Sequence, residues 1–178
     1  PVVLGGLHVT LMPEEAAQHA DSIVLYGAEG AWPHLVKDFR RGRLKARYAG
    51  LRTGVFEDAH YAKPRFELLG ARSYNRMTVQ TSRGCPLNCE FCAASLRLTS
   101  KFQQKPVDRV VAEVKAALEV IDRPFLELAD DNTFVNKQWG KDFLRAIIPL
   151  ELNWFTETDV SIADDEELDV LDEKAAEL

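Results

Sequence analysis

Cysteine, methionine and histidine are scarce in this 178-residue sequence, with three, two and four copies. So few cysteines, in an odd number, argue against a secreted disulfide framework. No apolar run approaches the ~18 residues of a membrane-spanning helix, and no charged segment followed by an apolar one opens the chain. Excess positive charge is missing too: 22 Lys and Arg stand against 28 Asp and Glu, a net charge of −6. That balance disfavours broad nucleic-acid binding through phosphate contacts. Ten of the acids fall in residues 157–178 and read as a solvated helix face. The chain starts at Pro1 without an initiator methionine and ends at Leu178 without a Gly or Pro stop. It is therefore expected to be a piece of a longer protein, soluble and cytoplasmic by default. With 46% hydrophobic residues it has the means to bury a core.

The pattern along the chain predicts an α/β fold. Pro1 to Gly6 is a short apolar run ended by glycines, as in a buried parallel strand, and Pro13-Glu14-Glu15-Ala16-Ala17 opens a helix. Ser22 to Tyr26 is a second strand, and residues 33–41 form a helix opened by Pro33 and closed by Gly42. Strand and helix alternate here as in half of a doubly wound sheet. Residues 43–75 show no sustained period and read as a connection. The cations Arg40, Arg41, Arg43, Lys45 and Arg47 read as a helix C-terminus followed by a polar loop, with no function assigned.

A second series begins at Met77. Met77 to Thr81 alternates as a strand, and Pro106 opens a helix whose stripe is Val107, Val110, Val111, Val114, Leu118 and Ile121, ended by Arg123-Pro124. Phe125 to Ala129 is a strand capped by Asp130-Asp131-Asn132; residues 137–148 are a helix, Leu152 to Thr158 a strand and 164–177 a helix. Three successive βα units predict part of a parallel (β/α) barrel, whose chemistry sits at the strand C-terminal ends.

All three cysteines fall in Cys85-Pro86-Leu87-Asn88-Cys89-Glu90-Phe91-Cys92. Gly84 and Pro86 bend this segment away from a helix, so three thiols on one helical face is the weaker reading. A structural zinc site needs a fourth ligand, and the candidate His60 is distant in sequence. A 4Fe-4S cluster with one open iron fits three thiolates better, because electron carriers normally use four. A ferredoxin-like carrier with its fourth cysteine outside these residues stays open, as does a structural zinc module.

Thr81-Ser82-Arg83-Gly84-Cys85-Pro86-Leu87-Asn88-Cys89-Glu90-Phe91-Cys92 resembles the cluster loop of the radical S-adenosylmethionine (SAM) superfamily. Val2 to Thr10, Pro13 to Ala16, Phe66 to Leu69, Asp130 to Asn132 and Trp154 to Asp159 resemble the subgroup that carries a cobalamin-binding domain. The resemblance implies three segments. Residues 1–48 are the end of a Rossmann-like cobalamin-binding domain, 49–75 a linker, and 76–178 the first half of a TIM-like partial barrel. It implies that Cys85, Cys89 and Cys92 ligate a 4Fe-4S cluster whose fourth iron chelates SAM. The Phe91 backbone then lies beside the adenine, Asp130, Asp131 and Asn132 hold the methionyl amine, and Glu157 or Asp159 meets the ribose or the substrate. Gly5 and Gly6 let the backbone approach the corrinoid. The implied activity is reductive cleavage of SAM for methyl transfer to, or oxidative modification of, a small molecule such as a tetrapyrrole, lipid or natural product. The expected partners are that substrate and an electron donor such as flavodoxin or ferredoxin, with no nucleic acid and no membrane span. A half barrel with an open edge is expected to self-associate. The cobalamin signature Asp-x-His-x-x-Gly is missing: Asp58-Ala59-His60 begins like it, but Lys63 stands in the glycine position.

Overall fold

The computed structural model describes residues 1–69, 74, 76–87, 89–92, 101–121 and 125–176. The chain divides into two compact units, one of Pro1–Ala62 with Gly84–Gln103 and one of Lys63–Arg83 with Gln104–Leu178. Each is built on a three-stranded parallel sheet.

In the first unit the strands β1 (Val3–Gly5), β2 (Ser22–Leu25) and β3 (Arg47–Ala49) lie in the order β1-β2-β3. Val3 pairs with Ser22, and Val24 with Tyr48. Alternation then sends side chains to opposite faces. Val24 and Tyr48 pack with Leu35 of the helix α3 (Trp32–Arg40), whereas Ile23 packs with Val9 of α1 (Leu7–Leu11) and Ala16 of α2 (Pro13–Ala16). Helices therefore cover both faces of β2, the pattern that needs near-continuous apolar strands.

Helix α3 ends as the sequence predicts. Gly42 takes a φ of +66°, its N–H donates to the Phe39 carbonyl at 2.9 Å, and Arg43 N–H donates to that of Asp38 at 2.9 Å. This double closure satisfies carbonyls the helix leaves open and uses the left-handed backbone that glycine adopts freely. Two elements escape the sequence reading. Helix α1 is a single turn ahead of the expected start at Pro13, and β3 falls in the stretch read as a connection. In β3 only Tyr48 is buried, so three residues carry no readable period, and pairing with β2 makes the strand.

In the second unit β4 (Arg76–Val79), β7 (Phe125–Leu128) and β8 (Asn153–Thr156) are parallel in the order β4-β7-β8. The two-residue strands β5 (Ser82–Arg83) and β6 (Gln103–Gln104) fall between β4 and β7 in sequence. Helices α4 (Val107–Leu118), α5 (Lys137–Ile147) and α6 (Glu166–Ala176) follow the three main strands in turn. Met77, Val79, Leu126 and Leu128 face these helices and share one core with Val110, Val114, Phe143, Leu144 and Leu168. Asn136 caps α5 by accepting from Trp139 N–H at 3.2 Å. The expected helix stop at Arg123-Pro124 lies outside the described residues. No helix among the described residues is long and apolar enough to cross a membrane.

Candidate functional site

The register Val79 to Leu128 to Thr156 ends the three strands of the second sheet level with one another. The next residues of each strand therefore collect at one end, where parallel sheets carry their ligands. Asp130 is central there and 8% exposed. Its Oδ1 accepts from Thr81 N–H at 2.8 Å and Ser82 N–H at 2.7 Å. Its Oδ2 accepts from the Thr81 hydroxyl at 2.5 Å and the Thr133 hydroxyl at 2.9 Å. A carboxylate has about four acceptor directions, and the fold fills them all.

Asn132, also buried, donates to Asp159 Oδ2 at 2.6 Å and accepts from the Thr158 hydroxyl at 3.1 Å. Asp159 accepts further from Ser161 N–H at 2.8 Å. The hydrogen bonds from Ser161 and Asn132 hold its carboxyl down at about 2. Asp131 and Glu157 are the exposed carboxylates of this end. Desolvation, then the charges of Asp130 and Glu157, push the Asp131 carboxyl up. Anionic repulsion of this kind is relieved by a bound cation.

The three cysteine side chains are half-buried. Gly84 precedes them at a φ of +77°, and Cys92 N–H donates to the Cys89 carbonyl at 3.0 Å, so the chain turns where the sequence predicts a bend. Phe91 is 92% exposed. As they stand, no three His, Cys, Asp or Glu side chains among the described residues are gathered to hold a metal ion. The donor set itself suits iron and sulfide, since it offers three thiols on one short turn.

In the first unit Gly5 ends β1 and Gly6 takes a φ of +99°, with nothing within 4 Å of where a Cβ would stand. That leaves open backbone at a strand end, which fits the approach of a large flat group. Tyr26 follows β2 with a φ of +64°, and its N–H donates to the Thr10 hydroxyl at 2.9 Å.

Sequence reasoning missed Thr81, Ser82 and Thr133 as partners of Asp130. It also missed a buried ion pair, Lys105 Nζ to Glu113 at 2.8 and 2.9 Å. Burial pulls the Lys105 ammonium below its ordinary value, and Glu113 opposes that shift. One signal was present: Glu113 lies three residues after Val110, inside the apolar stripe of α4, where a lone carboxylate requires a partner.

No protein-family model matches the chain. It is 30% identical over 152 residues to the bacteriochlorophyllide d C-8(2)-methyltransferase of Chlorobaculum tepidum, a match covering 77% of this chain and 33% of that protein. It is 32% identical over 178 residues to an uncharacterized methyltransferase of Synechocystis, covering 94% of this chain and 32% of that one. The chain thus spans about a third of the length of these curated relatives. Among solved structures, the cobalamin-dependent SAM radical enzyme OxsB, with aqua-cobalamin and SAM bound, superposes with a TM-score of 0.72 at 15% identity, covering 98% of this chain and 29% of that one. The radical SAM methyltransferase TsrM of Kitasatospora setae, with tryptophan and a SAM analogue bound, gives 0.68 at 19% identity, covering 98% and 40%.

Proposed function

We infer that the chain is a portion of a methyl-transferring protein, because its curated relatives are methyltransferases and its α/β fold matches that of cobalamin-dependent radical SAM enzymes. We propose that it is part of a cobalamin-dependent radical SAM methyltransferase acting on a small molecule such as a tetrapyrrole, lipid or natural product. The observation that carries the reading is the three-thiol turn following a β-strand in a parallel α/β unit. Cys85, Cys89 and Cys92 would hold the 4Fe-4S cluster, and Gly5 and Gly6 would lie against cobalamin. When bound, the cluster supplies one-electron reduction of the SAM sulfonium, and cobalamin supplies a carrier for the methyl group.

The remaining work falls to the chain. Asp131 and Glu157 would receive the methionyl ammonium, whose charge offsets the part of the upward shift of the Asp131 carboxyl that Asp130 and Glu157 add to desolvation. Asn132 would orient Asp159 beside them, and the exposed ring of Phe91 would cover the adenine. An electron donor such as flavodoxin or ferredoxin completes the set in the cytoplasm.

Anaerobic reconstitution with iron and sulfide tests this. The expected result is about four irons and four sulfides per chain, with a reduced electron paramagnetic resonance signal that changes on adding SAM. Cys89→Ala should abolish the full cluster. One zinc per chain without iron overturns the reading in favour of a structural module, and a cluster signal indifferent to SAM favours an electron carrier.

A further inference from the structure

The cysteines lie between two roots of backbone that the second unit ties down, Thr81-Ser82 upstream and Lys105 downstream. The upstream root is held by Asp130, which accepts both of its N–H groups and the Thr81 hydroxyl. At the downstream root, Lys105 N–H donates to the Thr81 carbonyl at 2.8 Å, so the two roots are bonded to each other. The Lys105 carbonyl accepts from the Trp139 indole at 2.8 Å, and its ammonium meets Glu113. Thr81, Ser82, Lys105, Glu113 and Thr133 are each no more than 3% exposed.

Burying two carboxylates and an ammonium is costly unless those charges are bonded, as they are here, while the buried Ser82 hydroxyl has no hydrogen-bond partner among the described residues. Strand β4 ends at Val79, so the N–H groups of Thr81 and Ser82 have left its ladder and still need acceptors. Water would serve at a surface loop. Here a carboxylate from the end of the neighbouring strand serves instead, which fixes the backbone of Thr81 and Ser82. A group with all its acceptor directions filled by its own fold has none left for a ligand.

We propose that Asp130, with the Lys105–Glu113 pair, is a positioning device that clamps both roots of the cysteine segment, acting through backbone rather than by touching SAM. The proposal rests on the cluster reading above only for what the segment carries; the clamp itself is a property of the chain.

Asp130→Ala and Asp130→Asn in the full chain test it together. Asparagine keeps an oxygen for both N–H groups, and its amide donates to the Thr81 and Thr133 hydroxyls, which can turn to accept. In iron-free protein, amide exchange at Thr81 and Ser82 should quicken at least about tenfold in Asp130→Ala and stay within about threefold of the native rate in Asp130→Asn. In reconstituted protein, iron loss to a chelator should quicken about tenfold in the alanine variant and be rescued by asparagine, with the native cluster signal restored. Unchanged exchange in both variants overturns the proposal. So does an equal loss of SAM affinity in both with native iron retention, since that marks Asp130 as an ionic ligand. If native protein binds no cluster, the exchange result still decides the clamp and only the cluster reading falls. Should Asp130→Ala fail to fold, Glu113→Gln serves: exchange at the Lys105 amide should quicken about tenfold, and no change there overturns the downstream half.

Discussion

In the first sheet helices lie on both faces of β2, and Ser22, Ile23 and Val24 are all buried; in the second, helices cover the face of Met77, Val79, Leu126 and Leu128, while Arg76, Thr78 and Phe125 on the opposite face are exposed. Strand number and direction are the same. What differs is how the strand ends are built. The first sheet ends in backbone: Gly6 and Tyr26 at positive φ, and Gly50 pressed against Gly27. The second ends in side chains bonded in two groups: Asp130 with Thr133, and Asn132 with Asp159. One topology thus offers an open backbone edge in one unit and a preset polar shelf in the other, and function follows these ends rather than the sheet.

The largest expected break comes from the single large core of the second sheet. Phe143 is fully buried there and stacks on Trp139 with ring centroids 5.1 Å apart. Phe143→Ala should cost ~3–5 kcal/mol, read as a fall in the denaturant midpoint. A loss under ~1 kcal/mol would mean that the core around α5 is loosely filled. For the first sheet the vulnerable point is backbone. A Cβ at Gly50 would stand 1.7 Å from the Gly27 carbonyl oxygen, closer than any relaxation of side chains can relieve. Gly50→Ala should cost about 3 kcal/mol, with amide protection lost first at Gly27 and Leu51, which bond to each other. Native protection at those amides would refute the close approach.

These two positions also show what a sequence reveals. The stripe Val107, Val110, Val111 and Val114 was readable because a period of three and four repeats over many residues, and Gly42 because its position matches the chemistry of a helix end. Gly50 was not, because its need arises from a residue far along the chain. The same holds for the site. The three cysteines were visible as a motif, and Asp130-Asp131-Asn132 as polar residues at a strand end. That Asp130 faces inward to Thr81 and Ser82 while Asp131 faces out depends on pairing between β4 and β7, which no local pattern encodes.

A smaller effect separates the polar shelf from the backbone edge by pH. Asp159 sits at about 2 because Ser161 and Asn132 donate to it in the fold. A carboxyl depressed by folding contributes stability above its unfolded value, and that contribution is lost as pH falls from about 4 toward the folded value. Asp159→Asn should therefore lower stability at neutral pH and flatten the acid limb, read by denaturant titration between about pH 5 and pH 2. An unchanged acid limb would place the depression elsewhere.

The smallest effect tests the open face of the second sheet. Arg76 lies over the Phe155 ring at 5.2 Å and meets Glu127 at 3.2 Å. Both partners of the ion pair are substantially hydrated, so Arg76→Ala should cost only ~0.5–1 kcal/mol. Salt separates the two contributions, because about 1 M salt screens the ion pair and leaves the ring contact. In the first unit Arg52 lies 4.7 Å from the Tyr26 ring, an arginine on a ring at a strand end, where the ring sits at positive φ. A double-mutant cycle for each pair should give similar coupling if the ring contact alone matters. A larger value for Arg52 and Tyr26 would mean that the arginine helps hold the positive-φ turn that follows β2.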